Sequence, residues 1–244
     1  MILSENNLET LDSYLESFGI ATTRQQRELL LQHLDLVVEK NKVMNLTRIV
    51  DDREAIIRHL VDSLLLVPSI EGAAAGQEIS FVDVGTGAGF PGIPLGIVRK
   101  WNGTLIDSVG KKVRAVSEFI ASLGLEDRLI AESVRAEDLA RHQSERFDIV
   151  TARAVADLGV LVEYASPLLK TGGALVVSKA QIASDEIARG DKTGKIVGLQ
   201  RVSRETFELP EDQGHREILT YKKTTKSKVK LPRQTGMAKN KPLV

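Results

Sequence analysis

The 244-residue sequence predicts an α/β fold in which a parallel sheet is wound with helices, preceded by a helical extension and followed by a basic tail. Three observations predict it. From Ile79 onward, short apolar runs alternate with amphipathic segments, the pattern of stacked βαβ units. Before that point, apolar residues recur at helical spacing. From Lys222 to the end there are eight basic residues and no acidic one.

In the extension, Leu8, Leu11, Leu15 and Phe18 lie on one helical face that stops at Gly19, and Thr23 with Gln26 forms a capping box for a second helix carrying Leu30, Leu34, Val37 and Val38. A third helix is expected from Asp51 and Glu54 at its start, through Ile57, Leu60, Val61, Leu64 and Leu65, to a stop at Pro68. Residues 1–70 are thus expected as a helical cap, with Glu71 to Glu78 a linker into a core that runs to residue 221. In that core, strands are expected at Ile79–Val84, Thr104–Asp107, Arg128–Ala131, Phe147–Thr151 and Ala174–Ser178, with helices beginning near Pro91, Lys111, Ala136 and Asp157. Beyond Lys179 the periodicity weakens, and Lys195–Leu209 with Arg216–Lys222 can form a terminal strand pair. Residues 222–244 are expected as a flexible tail.

Composition narrows the class. Apolar residues make up 42%, charged residues 27% and aromatics 4%, as in ordinary globular proteins. The absence of cysteine excludes disulfides and thiolate metal sites. The start, MILSENNLETLD, lacks the basic residues and apolar run of a secretory signal, and the apolar window Ile79–Val98 holds five glycines, two prolines and Asp83, so the sequence predicts a cytoplasmic protein with no membrane span. Eight of the 33 basic residues fall after position 221, leaving 25 against 33 acidic residues before it. The body is therefore about −8 and the tail +8. Lys222, Lys223, Lys226, Lys228, Lys230, Arg233, Lys239 and Lys241 are the candidate contacts to a polyanion such as RNA.

The strongest local signal is Phe81-Val-Asp-Val-Gly85-Thr-Gly87-Ala-Gly89-Phe-Pro91-Gly92, a strand running into a glycine turn and a helix. Gly87, Gly89 and Gly92 satisfy the dinucleotide spacing, but the strand runs directly into Gly85, the register of S-adenosylmethionine-dependent methyltransferases. In that register Asp83 can face the methionine end of the cofactor, whereas a carboxylate beside a pyrophosphate would be repelled. Asp107 closes the second strand, where an acid accepts hydrogen bonds from ribose hydroxyls, as NAD would also require; a helix cap is the structural alternative. Ala136-Glu137 follows the third strand, where methyltransferases contact adenine, although a Glu in a first helical turn also suits the helix dipole. Arg153, after the fourth strand, can hold a carboxylate, stack on a purine, bond to guanine O6, or simply form a salt bridge.

Two absences limit the acceptor. Methylation at C5 of a pyrimidine uses a covalent nucleophile, usually cysteine, and the Asp/Asn-Pro-Pro-aromatic turn of amino-group methyltransferases is replaced by Thr151-Ala-Arg-Ala. An oxygen, a small molecule or a ring nitrogen such as guanine N7 remains. His59 and Asp62, three apart on the third helix, are too few to ligate a metal and are expected to pack the cap onto the core. Asn45-Leu-Thr47 has the glycosylation pattern, read as chance in a chain without an export signal.

These residues resemble the small-subunit ribosomal RNA guanine-N7 methyltransferases, once called glucose-inhibited division protein B. The similarity includes Asn45-Leu-Thr47, Arg58 to Ser63, the block Val82 to Pro94, Asp107-Ser with Gly110-Lys-Lys, Arg135-Ala-Glu137 and Arg153-Ala, with an echo in Leu231-Pro-Arg and Lys239-Asn-Lys-Pro-Leu243. A departure is Ser178-Lys179-Ala180, where the family usually has a hydrophobic residue, Lys and Gly. The resemblance implies a Rossmann-like core and cofactor contacts at Gly85, Phe90, Ala136, Glu137 and Arg153. It further implies methylation of guanine N7 in the decoding-region hairpin of 16S rRNA, with the small ribosomal subunit as partner; a monomer without metal is expected. Arg153 is then the candidate for orienting the guanine, and no residue is assigned as base. A small-molecule methyltransferase, an NAD-dependent oxidoreductase and a non-catalytic ribosome-assembly factor are the competing readings.

Overall fold

The computed structural model describes residues 1–49, 51–74, 78–153 and 156–244. The chain opens with α1 (Glu5–Ser17) and α2 (Arg24–Asn41). Ser4 caps α1, whose Leu8, Leu11 and Leu15 are buried, and the chain leaves the helix at Gly19 with φ +69°. The Thr23–Gln26 capping box forms in both directions at 3.2 and 2.8 Å.

Asp51 caps the next helix by accepting from the Glu54 N–H at 2.9 Å. That helix continues as α3 (Asp52–Ala55), a π-helical stretch (Ile56–Val61), α4 (Asp62–Leu64) and α5 (Leu66–Ala73). Pro68 does not stop it. It occupies the first turn of α5, where a missing N–H breaks no intrahelical bond, so the expected end at Pro68 and the linker from Glu71 are both displaced. Glu71 is helical and pairs with Arg99 at 2.6 Å, while positions 75–77 of the expected linker lie outside the described residues.

The core alternates β1 (Ser80–Val84), α6 (Gly92–Val98), β2 (Asn102–Asp107), α7 (Gly110–Ser122), β3 (Leu129–Ser133), α8 (Ala136–His142), β4 (Phe147–Arg153), α9 (Leu158–Leu168) and β5 (Leu169–Lys179). It closes with α10 (Ser184–Val197), β6 (Leu199–Glu208), β7 (His215–Lys223) and the short α11 (Met237–Asn240). The sheet order is β3-β2-β1-β4-β5-β7-β6. β1 to β5 are parallel, and β7 runs antiparallel between β5 and β6. The order reverses between β1 and β4, so the crevice at their carboxyl ends is the ligand position of an open α/β sheet.

All five expected parallel strands form, and so does the terminal pair. The strand expected from Lys195 begins only at Leu199, because residues up to Val197 belong to α10. Gly190 and Gly194 weaken the helical signal of α10, and packing explains them. A Cβ at Gly190 would meet Leu158 Cδ2 at 2.7 Å, and one at Gly194 would meet the Leu199 carbonyl oxygen at 2.5 Å.

The segment expected as a flexible tail packs along the core. Lys223 ends β7 buried, its ammonium donating to Glu145 and to the Ser166 and Leu169 carbonyls, each at 2.8 Å. Arg233 bonds the buried Glu163 bidentately at 2.8 and 2.7 Å, and Ala238 is buried among the side chains of the sheet's second face. No described helix is long and apolar enough to cross a membrane.

Candidate active site

A cavity of about 240 Å³ opens at the carboxyl ends of β1, β2 and β3. Gly85, Asp107, Ala136, Glu137, Tyr164 and Lys239 are among the residues lining it. Gly85 has φ +76°, a conformation costly for any residue with a Cβ. The Asp107 carboxylate accepts from the Gly87 N–H at 3.2 Å and the Val109 N–H at 2.9 Å, so it is fixed in place while remaining partly exposed. Ala136 and Glu137 begin α8, and the buried Glu137 carboxylate accepts from the Gly236 N–H at 2.8 Å.

Of the eight cofactor candidates, Gly85, Asp107, Ala136 and Glu137 line this cavity, and Asp83, Gly87, Phe90 and Arg153 do not. The Gly87 N–H instead holds the Asp107 carboxylate. Asp83 is fully buried beneath the turn, where its carboxylate accepts from the Gly92 N–H at 3.0 Å and the Thr151 hydroxyl at 3.3 Å. Burial raises its pKa to about 6, against the hydrogen bonds that favour the charged form.

Directly after the glycine turn, at Phe90, lies an aromatic stack. The Phe90 ring is parallel to His59, with centroids 4.5 Å apart and planes 8° apart, and His33 lies 4.6 Å away on a tilted plane. His33 Nε2 donates to the Ala88 carbonyl at 3.0 Å, and His59 Nε2 bonds the Thr47 hydroxyl at 2.9 Å. Burial holds both imidazoles down to a pKa of about 3, with Arg153 adding to the effect at His59.

Arg153 forms the salt bridge that the sequence left open. Its Nη1 donates to Asp62 at 3.0 Å and to the Arg58 carbonyl at 2.8 Å, and its guanidinium carbon lies 5.5 Å from the Phe90 ring centre. Asp62, 3% exposed, also pairs with the Arg216 guanidinium and accepts from the Ser178 hydroxyl, both at 3.0 Å. Ser178 stands where the resembled family usually has a hydrophobic residue. The expected packing role of His59 and Asp62 is therefore visible in their contacts, and no cluster of metal-ligating side chains occurs among the described residues.

Among the tail candidates, Lys226, Lys228, Lys230, Lys239 and Lys241 are exposed and Lys222 is half-buried. Lys223 and Arg233 are occupied internally, a correction to their assignment as phosphate contacts. Sequence reasoning missed Tyr164 and Arg216, which come to the site from α9 and β7 and carry no local motif.

The family model for rRNA small subunit methyltransferase G matches residues 26–217. The chain belongs to that family. Proteins named ribosomal RNA small subunit methyltransferase G from Leuconostoc citreum and Staphylococcus epidermidis are 37% and 38% identical to it, over 97% and 98% of this chain and 99% of each relative. Among solved structures, the [4+2]-cyclase SpnF aligns with a TM-score of 0.57 at 15% identity, covering 84% of this chain and 98% of that one. The P. horikoshii TYW2 complex with MeSAdo aligns at 0.50 and 15%, covering 62% and 60%. At such identities these two show the shared fold alone. Within the family frame, the carboxyl-end cavity and the Phe90 stack are the two features on which function has to be built.

The two buried histidines predict how acid acts on this fold. Both stay neutral in the folded protein to about pH 3, while in the unfolded chain they take up protons near pH 6.5. Falling pH therefore favours unfolding by about 1.4 kcal/mol per pH unit for each ring between those limits. His33→Phe keeps the stacking and should remove one ring's share of the slope. Urea unfolding of both proteins at several values from pH 6.5 to 4.5 checks this, and identical slopes would contradict it.

Proposed function

We propose that this chain is a monomeric cytoplasmic enzyme that uses S-adenosylmethionine to methylate N7 of a guanine in the decoding-region hairpin of 16S rRNA. The observation that carries the reading is the cavity at the carboxyl ends of β1 to β3, in a chain of the rRNA small subunit methyltransferase G family. Its donor and acceptor set fits the cofactor. Asp107 is a fixed, partly exposed acceptor for vicinal ribose hydroxyls, Gly85 leaves the turn open beside it, and Ala136 with Glu137 offers a wall to the adenine edge. When bound, S-adenosylmethionine supplies an electrophilic sulfonium methyl.

Guanine N7 presents an in-plane lone pair and carries no proton, so the protein has no deprotonation to perform. The site's own residues agree with that demand. His33 and His59 are buried and bonded within the fold, Asp83 is committed to the Gly92 N–H, and an arginine cannot act as a base. What remains is alignment, from which effective molarities of about 10⁵ M or more are available. Arg153 is the orienting candidate. Among the described residues its hydrogen bonds leave from Nη1, to Asp62 and the Arg58 carbonyl, so its other donors suit guanine O6. The exposed lysines of the C-terminal segment supply phosphate contacts to the RNA.

Single-turnover transfer of labelled methyl to the RNA of purified small subunits tests the reading. The rate should be nearly flat between about pH 6.5 and 8.5, above the titration of Asp83. A log-rate slope of one across that window, with binding unchanged, or no transfer at all, would overturn it.

Asp107→Ala should weaken S-adenosylhomocysteine binding about tenfold to a hundredfold, because hydrogen bonds to a charged acceptor contribute roughly 1.5–3 kcal/mol. Calorimetry measures it, and an unchanged dissociation constant in a folded variant removes Asp107 from the ribose site. Replacing Lys226, Lys228 and Lys230 together by Gln should lower the slope of log RNA affinity against log salt by about 2 to 3, leaving cofactor affinity alone. Equal slopes would mean that these lysines do not meet phosphates.

A further inference from the structure

The motif Lys239-Asn-Lys-Pro-Leu243 and the preceding Leu231-Pro-Arg have no part in the cofactor site just proposed, yet Lys239 lines its cavity. After β7 the chain follows α10, with the Lys228 N–H donating to the Ile196 carbonyl at 2.8 Å, and then crosses to α9 and α8. It is fastened there at several points. Arg233 grips Glu163, Arg141 bonds the Arg233 carbonyl at 3.1 Å and the Thr235 hydroxyl at 3.0 Å, and Thr235 donates to Asp138 at 2.8 Å. Leu231 and Leu243 pack against the core cluster in which Ala238 is buried.

This fastening brings two groups to the cavity. The Gly236 N–H, in a backbone with φ +84°, donates to Glu137 at 2.8 Å and so fixes a buried carboxylate that lines the cavity. Lys239, one α-helical turn further on, lines the cavity itself. Its side chain is exposed and forms no ion pair among the described residues, so three donors are available to ring nitrogens or ribose oxygens. Among the exposed lysines of this segment, Lys239 alone is among the residues lining that cavity.

We propose that the C-terminal strap, residues 231–243, is a wall of the cofactor pocket: it positions Glu137 through the Gly236 N–H and sets Lys239 against the nucleoside end, so that cofactor affinity depends on it. The proposal rests on reading the cavity as the S-adenosylmethionine site. Removing the strap should therefore affect the cofactor as well as RNA.

The test is calorimetry with S-adenosylhomocysteine on four proteins: the full chain, Lys239→Ala, Lys239→Arg, and a chain ending at Lys230 that carries Glu163→Gln so that Glu163 is not left as a buried charge without Arg233. The full chain should bind. Lys239→Ala should bind about threefold to tenfold more weakly with an unchanged thermal midpoint, Lys239→Arg should recover most of the loss, and the shortened chain should bind at least tenfold more weakly. Should the shortened chain fail to fold, the Lys239 pair decides. Wild-type affinity in Lys239→Ala overturns the proposal while leaving the cofactor site intact. No binding by the full chain overturns both.

Discussion

One buried carboxylate joins the two parts of this molecule. Asp62, on the helical extension, accepts from Arg153 at the end of β4 and Ser178 in β5 and pairs with Arg216 in β7, and so ties the extension to three neighbouring strands. A buried charge of this kind is held by its partners, because removing one side of such a pair typically costs about 3–5 kcal/mol. The same contacts fix what the site can offer. With Arg153 anchored through Nη1, its guanidinium carbon lies 5.5 Å from the centre of the Phe90 ring, and Phe90 in turn is stacked on His59 of the π-helical stretch and lies against the tilted ring of His33 of α2.

The site is therefore built for holding more than for proton transfer. Its imidazoles are buried and kept neutral, its deepest acid supports the glycine turn, and its exposed acid is fixed by two backbone N–H groups. Such an arrangement suits a nucleophile that arrives without a proton. Phe90 and Arg153, where the family resemblance implies cofactor contacts, do not line the cavity; both instead contact the helical extension, Phe90 through His33 and His59 and Arg153 through Asp62.

Much of this was legible in the sequence where a local rule governs. The capping residues Thr23 and Asp51, the strand running into Gly85 and the acid at the end of β2 all announce themselves through neighbours within a few positions. The sequence was less legible where long-range packing decides. Pro68 suggested a stop and instead begins a new helical turn, and the glycines of α10 concealed a helix because they make room for Leu158 and Leu199. Arg216, Tyr164 and the buried Lys223 take their roles from residues far away in the chain. The basic tail was read as one electrostatic unit, but two of its eight charges are spent inside the fold.

The identity of the methylated atom tests the central claim most directly. Small subunits lacking the modification, treated with this protein and labelled S-adenosylmethionine, should yield 16S rRNA whose digest carries the label as 7-methylguanosine, mapping to a single guanine in the decoding-region hairpin. Label in any other nucleoside, or spread over many guanines, would contradict the account.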